Sequence, residues 1–297
     1  MTPVLLGLIG LALALPVPAW LARARWPLRA PAAGIVLWQS LALAAILAMS
    51  GAGLSTALWL VSVDDPGPAR VALHVLVLGV GVMVWARFWW AAWHVWRDTV
   101  RRRARHRELV DLLGEPHGLA PAVRILAEQT PVAYCLPKRG DNRVVISQGT
   151  VAALDPDELD AVLAHERAHV RARHDLVLEG FGVLRLAFPR VLRTDAPLRQ
   201  SQVMVELLAD DAARREHGGP AVARALVALA DSPAPSGALG AGGGSTALAR
   251  LERLREPTPH PRWPAVLSLT ISAVVLVAPT VLLAVPWMVH AWQTLDL

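Results

Sequence analysis

Four long stretches without charged side chains constrain the fold of this chain more than any other feature. They cover residues 2–22, 30–63, 71–86 and, apart from Asp296, 263–297. A helix needs about 20 apolar residues to cross the roughly 30 Å hydrocarbon core of a bilayer. The third stretch reaches that length if it continues to Trp93, with the Arg87 side chain extending to the interface. The sequence therefore predicts membrane-spanning helices at about residues 3–22, 33–55, 71–93 and within 263–297.

Two of these stretches leave alternatives open. Residues 30–63 are longer than one span requires, so they form either one tilted helix or a helix that bends near Gly51 and Gly53. Residues 2–22 have the length of a secretory signal peptide as well. Their first residues carry no positive side chain and the arginines follow the apolar run, which favours a retained membrane helix.

The composition argues against an ordinary cytosolic enzyme. The 297 residues are 54% hydrophobic and 18% charged, and the aromatic residues are 12 Trp, 3 Phe and 1 Tyr. A typical soluble domain has about 25% charged residues, and Trp favours the membrane–water interface. Because Cys135 is the single cysteine, the chain forms neither an intramolecular disulfide framework nor a cysteine-rich zinc site.

The loop charges predict an orientation. The first loop contains Arg23, Arg25 and Arg29, and the second contains Asp64, Asp65 and Arg70. The segment after the third span begins with Arg97, Arg101, Arg102, Arg103, Arg105 and Arg107. By the positive-inside rule the N-terminus lies outside and residues 97–262 form a cytoplasmic domain. The net charge of +5 follows from this arrangement, so we expect anionic lipid headgroups, and no direct nucleic acid, as partners of these arginines.

The sharpest motif of this domain is LDPDELDAVLAHERAHVRAR, at residues 154–173. Asp155 can cap a helix, Pro156 suits its first position and Glu158 completes a capping box. The sequence therefore predicts a helix that begins at about residue 156. Further along, Ser232 to Ser245 is rich in Gly, Ala, Pro and Ser and predicts a flexible loop.

The predicted helix carries an H-E-x-x-H motif. Its two histidines, His165 and His169, project only about 40° apart and can bind one metal ion. Glu166 follows the first histidine, where it can take a proton from a water and pass it to a leaving amine. Such a short motif also arises by chance, and helical histidine pairs are often surface residues. The helix cap and a suitable third ligand downstream favour a metal site of the zinc-peptidase kind.

The third ligand is expected on a second helix. His174 lies about 140° around the helix from His169 and should point away. Downstream, MVELLADDAARR at residues 204–215 is a helical run with Glu206 and Asp210 on one face. We predict Glu206 as the third ligand and Asp210 as the residue that orients a ligand histidine. An ordinary solvated carboxylate face is the alternative.

Weaker candidates surround these residues. Tyr134 is either an oxyanion stabiliser or, more simply, a half-buried strand residue, and Cys135 on the same strand is expected in the core. Arg214 and His217 either assist the transition state electrostatically or lie exposed at a helix end. The sequence does not select one transition-state stabilising residue among them.

The order of these segments resembles the BlaR/MecR-type membrane zinc metallopeptidases, the antirepressor family of bacterial β-lactam sensing. More distantly, it is similar to the CAAX-protease and HtpX-like peptidases. Besides the spans, the resemblance is carried by AYCLP (133–137), VVIS (144–147), LDPDELDAVLAHERAHVRARHD (154–175) and ELLADDAARR (206–215). The sensor members continue into an extracellular penicillin-binding domain, whereas only a few residues follow Trp292. Direct β-lactam recognition is therefore not expected.

The resemblance implies a site and a fold. Zn²⁺ would be bound by His165, His169 and Glu206, with Glu166 as catalytic base and Asp210 behind a ligand. The fold would be a multi-pass α-helical membrane protein with an inserted α+β zincin, or gluzincin-like, metallopeptidase domain. AYCLP and VVIS would be strands that flank the cleft, where one of them can pair with an extended substrate.

The resemblance also implies a function. We expect a membrane zinc endopeptidase that cleaves a protein or peptide at the cytoplasmic face, with a cytoplasmic transcriptional repressor as the candidate substrate. Membrane-protein quality control is the first alternative, and a non-catalytic signalling or scaffold protein with the zincin fold is the second. The intact Glu166 argues against the second alternative, because a non-catalytic protein does not need the base.

Overall fold

The computed structural model describes residues 2–61, 67–116, 122–138, 140–189, 193–230, 239–240, 244–256 and 261–295. The chain forms two compact units. The helical unit comprises Met1–Trp93, Phe181–Gln200 and Pro261–Leu297, and the mixed unit comprises His94–Gly180 and Ser201–His260. The segment 97–262 is therefore interrupted, because residues 181–200 pack with the helical unit. Most of the predicted flexible loop at Ser232 to Ser245 lies outside the described residues.

The helical unit is built mainly from apolar helices. They are α1 (Thr2–Ala14), α2 (Pro16–Leu21), α3 (Pro31–Val61), the first part of α4 (Pro68–Leu113) and α11 (Trp263–Leu295), with a short 3-10 helix at Trp26–Arg29. Among the described residues, four segments are long and apolar enough to cross a membrane: Thr2–Leu21, Pro31–Ala57, Pro68–Leu113 and Trp263–Pro286. These segments overlap the four uncharged stretches of the sequence.

Of residues 30–63, Pro31–Val61 form one continuous helix, α3. α3 continues through Gly51 and Gly53. Gly53 instead serves helix packing, because a Cβ atom at this position would lie 3.5 Å from the Cα atom of Gly81 on α4. Small residues of this kind let the backbones of apolar helices approach closely.

The mixed unit combines a small sheet with several helices. Its strands are β1 (Gly114–Pro116), β2 (Val123–Leu126), β3 (Ala133–Leu136), β4 (Arg143–Ser147) and β5 (Leu239–Gly240). Their order in the sheet is β1-β2-β4-β3-β5, in which β2 and β4 are parallel and the other neighbours are antiparallel. Its helices are α5 (Gln148–Ala153), α6 (Pro156–Arg171), the first part of α7 (His174–Ala187), most of α8 (Ala196–His217), α9 (Gly219–Ala228) and α10 (Gly244–Arg255).

Both faces of the sheet are covered. Side chains alternate between the two faces of a strand, so Ala133, Val144 and Ile146 face a buried cluster with Val162 of α6 and Leu229. The opposite face of β3 and β4 packs Tyr134, Leu136 and Val145 against Val110 of α4. Strands β3 and β4 therefore lie between α6 and the end of α4, and this position places β3 beside the H-E-x-x-H helix.

Helix α6 begins at Pro156, as the sequence predicts. Its start is fixed by the Glu158 carboxylate, which accepts a hydrogen bond from the backbone N–H of Asp155 at 3.2 Å. Its end is sharp, because Arg173 adopts a left-handed conformation with φ of 52°. The chain then reverses into α7 at His174, and the consequence for the metal centre is described below.

Candidate metal centre and active site

Two helices of the mixed unit bring the predicted ligands together. His165, Glu166 and His169 on α6 are buried, and Glu206 on α8 is nearly so. One ligand atom from each of His165, His169 and Glu206 lies within 4.8 Å of the others. The four-residue spacing of the histidines places both imidazoles on the same side of α6, and Glu206 faces them from α8.

The separations of these ligand atoms fit one small cation. The two histidine Nε2 atoms are 3.1 Å apart, and each lies 3.4 Å from a carboxylate oxygen of Glu206. Tetrahedral zinc with bonds of about 2.0 to 2.1 Å requires ligand atoms about 3.4 Å apart. Two imidazoles and one carboxylate are also a ligand set of catalytic zinc sites, which keep a fourth position open.

The outer nitrogen atoms of both imidazoles are held by buried partners. His165 Nδ1 lies 2.9 Å from Asp210 Oδ1, and His169 Nδ1 lies 2.9 Å from His174 Nδ1. When Nδ1–H donates to these partners, Nε2 of each histidine presents a lone pair. Two lone pairs and a carboxylate then converge in a buried space, and such a cluster of electron donors is stabilised by a cation.

His174 is not one of the three clustered ligands, but the prediction that it points away did not foresee that it contacts His169. The prediction assumed that the helix continues past residue 171, whereas α6 ends there and Arg173 turns the chain through a left-handed conformation. His174 is thereby buried against the far side of the His169 ring, at a ring-centroid distance of 4.9 Å. Nothing in the spacing signalled this turn, because Arg is not a residue that favours positive φ.

Sequence reasoning also missed Arg250 on α10. Its guanidinium is almost completely buried and donates two hydrogen bonds of 2.7 Å to the two carboxylate oxygens of Asp210. A third contact of 3.2 Å joins it to Glu206. Arg250 thus offsets the negative charge of Asp210, behind His165, and of the ligand Glu206. No local signal pointed to Arg250, because Asp210 lies 40 positions earlier in the chain and meets it only in the folded structure.

Two of the three ligands have the protonation state that suits metal binding, and a bound metal ion would displace a proton from the third, His165. Burial lowers the pKa of His169 to about 3 and that of His174 to about 4. Burial also opposes protonation of His165, but hydrogen bonds to Asp210 and Glu206 outweigh it and raise the pKa of His165 to about 9. Burial would raise the pKa of Glu206, yet the facing His169, His165 and Arg250 lower it. A neutral His169 and an ionised Glu206 are the forms that bind a metal ion.

Glu166 lies on the side of α6 that faces β3. Its side chain is completely buried, and Cys135 of β3 is its neighbour. Burial raises the pKa of the Cys135 thiol well above its usual value, and the charge and hydrogen bond of Glu166 raise it further. Cys135 is therefore a buried thiol of the core, as expected, in surroundings that disfavour the thiolate form.

The other candidates lie elsewhere. Tyr134 is buried on the opposite face of β3, where its hydroxyl is 2.8 Å from His106 Nε2 on α4, so it does not reach the cluster. Arg214 donates to the backbone carbonyls of Arg253 and Glu256 and thus caps the end of α10. His217 is the last residue of α8. Among the described residues, none of these three contacts the three ligands.

Comparison with known proteins agrees with this geometry. Residues 97–209 match the model of Peptidase family M48. Over 121 residues the chain is 32% identical to a protease HtpX homolog of Gemmatimonas aurantiaca. The aligned region covers 38% of this chain and 43% of that protein. Over 123 residues the chain is 26% identical to a protease HtpX homolog of Halobacterium salinarum, with 39% and 42% covered. No solved structure matches the chain.

The chain spans less than half the length of these relatives. The region that matches the M48 model contains His165, Glu166, His169 and Glu206, and it ends one residue before Asp210. The M48 and HtpX names support the general resemblance to membrane metallopeptidases. The more specific BlaR/MecR resemblance stays a prediction, because neither the family model nor these relatives carry that name.

Proposed function

We propose that this chain is a membrane-integrated zinc endopeptidase. The observation that carries the proposal is the convergence of His165, His169 and Glu206 with Glu166 beside the first ligand. The match of residues 97–209 to the M48 peptidases supports the same chemistry. The sheet-and-helix arrangement of the mixed unit is consistent with a zincin-like domain, which we include in the proposal.

The residues of the site have distinct tasks in peptide hydrolysis. His165, His169 and Glu206 would hold the zinc ion, which supplies Lewis acidity at the open side of the ligand set. Glu166 accepts a proton from the attacking water and donates it to the departing amine. Asp210 and His174 hold the two ligand imidazoles at Nδ1 and keep their Nε2 lone pairs directed at the same point.

The proposed setting is a membrane with the peptidase domain on its cytoplasmic side. Four apolar segments of sufficient length support membrane integration, and the arginine-rich loops support the orientation with the N-terminus outside. The substrate is a protein or peptide. Cleavage of a cytoplasmic repressor rests on the BlaR/MecR resemblance alone, and a role in membrane-protein quality control is the alternative.

The proposal is tested with the full chain purified in detergent, using a quenched fluorescent protein substrate such as labelled casein. Replacing the base in Glu166→Gln keeps its shape and should lower the cleavage rate about 10² to 10⁴-fold, while the zinc content stays at the wild-type level. The matched control is Glu216→Gln, because Glu216 is an exposed residue of α8. This variant should cleave the substrate at the wild-type rate. Wild-type cleavage by Glu166→Gln would contradict the mechanism, and zinc binding without any cleavage would favour the scaffold alternative.

A further inference from the structure

An ion-pair cluster joins α4 to the start of α7 in the mixed unit. The Arg103 guanidinium lies 2.7 Å from Glu179 and 3.3 Å from Asp175. The Asp175 side chain is 1% exposed, whereas Arg103 and Glu179 are each 22% exposed. A buried carboxylate needs a charged partner, and Arg103 is the more deeply placed of the two arginines that contact Asp175.

The second arginine, Arg173, is a weaker partner. Its Nε atom lies 3.4 Å from Asp175, and its side chain is 47% exposed. Exposed pairs of this kind contribute little, because solvent screens them and the long side chain loses freedom. Most of the stabilisation of the Asp175 charge is therefore expected from Arg103.

Asp175 directly follows His174, which contacts the ligand His169 at 2.9 Å. Only Ala172 and Arg173 separate α6 from α7, and Arg173 is held in the left-handed conformation. The start of α7 is thus a short, constrained turn. A shift that brings the Asp175 carboxylate into solvent would carry His174 away from the imidazole that it holds.

We infer that Arg103 is a positioning residue for the metal centre. By pairing with Asp175 and Glu179 it fixes the first two turns of α7, so that His174 stays against Nδ1 of His169. The inference rests on the proposed metal site and adds a residue from α4, a helix that supplies no ligand. A purely structural anchor would affect the folding stability of the chain without affecting the metal ion specifically.

The test measures zinc affinity by chelator competition and the absorption spectrum of the Co²⁺-substituted full chain. Arg103→Gln should weaken zinc binding about 10-fold, at the lower end of what loss of a group behind a ligand costs, and should change the Co²⁺ spectrum. The matched control is Arg102→Gln, because Arg102 is an exposed neighbour on α4, and its affinity should equal that of wild type.

A double-mutant cycle separates positioning from general destabilisation. If Arg103 acts through His174, then Arg103→Gln should weaken zinc binding no further in a His174→Ala background. If the two substitutions instead weaken zinc binding independently, so that their effects multiply in the double variant, the inference is overturned. Wild-type zinc affinity in Arg103→Gln would overturn it as well. If Arg103→Gln does not fold, Arg103→Lys is compared instead, because lysine keeps the charge but lacks the rigid planar fork with which arginine faces both carboxylates. The zinc affinity of Arg103→Lys should lie between those of wild type and His174→Ala. Wild-type zinc affinity in Arg103→Lys would overturn the inference.

The outcome for the proposed function is read separately. Suppose that wild type binds zinc, that His165→Ala does not, and that wild type does not cleave labelled casein. This result would leave the inference about Arg103 intact and overturn the proposed endopeptidase activity. Absence of zinc binding by wild type would overturn both.

Discussion

At the scale of single residues, the centre depends on charges that compensate one another in a buried space. Asp210 accepts from His165 and from Arg250, and Arg250 also contacts Glu206. The sequence predicted His165, Glu166, His169, Glu206 and Asp210 because their spacing within two helices is local information. It could not predict Arg250, whose partners lie about 40 positions earlier in the chain and meet it only through the fold.

Removing the Arg250 guanidinium should therefore destabilise the chain strongly. Arg250→Met keeps the bulk of the side chain but removes the guanidinium that pairs with Asp210 and Glu206, and breaking a buried ion pair costs about 3 to 5 kcal/mol. The expected result is a marked fall in the thermal unfolding midpoint of the metal-free chain. Arg255→Met, an exposed change on the same helix, is the control and should have little effect. Equal midpoints for the two variants would show that Arg250 is dispensable.

At the scale of elements, the start of α6 was predictable and its end was not. The Asp155, Pro156 and Glu158 pattern is a strong local signal for a helix start, and the structure has α6 begin at Pro156. The helix end depends on Arg173 at positive φ, a conformation that costs an ordinary side chain roughly 1 to 2 kcal/mol. Tertiary contacts of α7 offset this cost, and these contacts are invisible in the local sequence.

The turn can be tested by two substitutions that both remove the Arg173 charge. Arg173→Gly tolerates positive φ, whereas Arg173→Val is β-branched and resists it. Arg173→Val should therefore be less stable than Arg173→Gly by about 1 to 2 kcal/mol and should bind zinc more weakly, because His174 is displaced. Chemical unfolding and chelator competition measure the two effects. If Arg173→Val equals Arg173→Gly in stability and in zinc affinity, the role given to the turn is contradicted.

At the scale of the whole molecule, the uncharged stretches predicted four apolar helices, and four candidate spans are present among the described residues. The sequence did not predict that residues 181–200 pack with the helical unit. Their charge content resembles that of the mixed unit, and hydropathy does not report which neighbour a short amphipathic segment contacts. The orientation of the chain in a membrane stays a prediction.

Packing within the helical unit gives a further test. Gly53→Leu introduces a side chain where the backbone of α4 is within 3.4 to 3.6 Å of the new Cβ atom. Overpacking of this kind costs about 1 to 3 kcal/mol, so the thermal midpoint in detergent should fall. At Gly79 on α4 a Cβ atom meets nothing within 4 Å, and Gly79→Leu should be tolerated. The reverse order of stabilities would contradict the helix packing described for α3 and α4.

The most direct test of the central claim is X-ray absorption at the zinc edge of the purified chain, combined with its zinc stoichiometry. The account predicts one zinc ion per chain, bound by two imidazoles and further oxygen ligands at about 2.0 to 2.2 Å. It also predicts that His165→Ala and Glu206→Ala each lose this signal. A wild-type chain that binds no zinc, or variants that retain the same zinc signal, would contradict the assignment of His165, His169 and Glu206 as the metal centre.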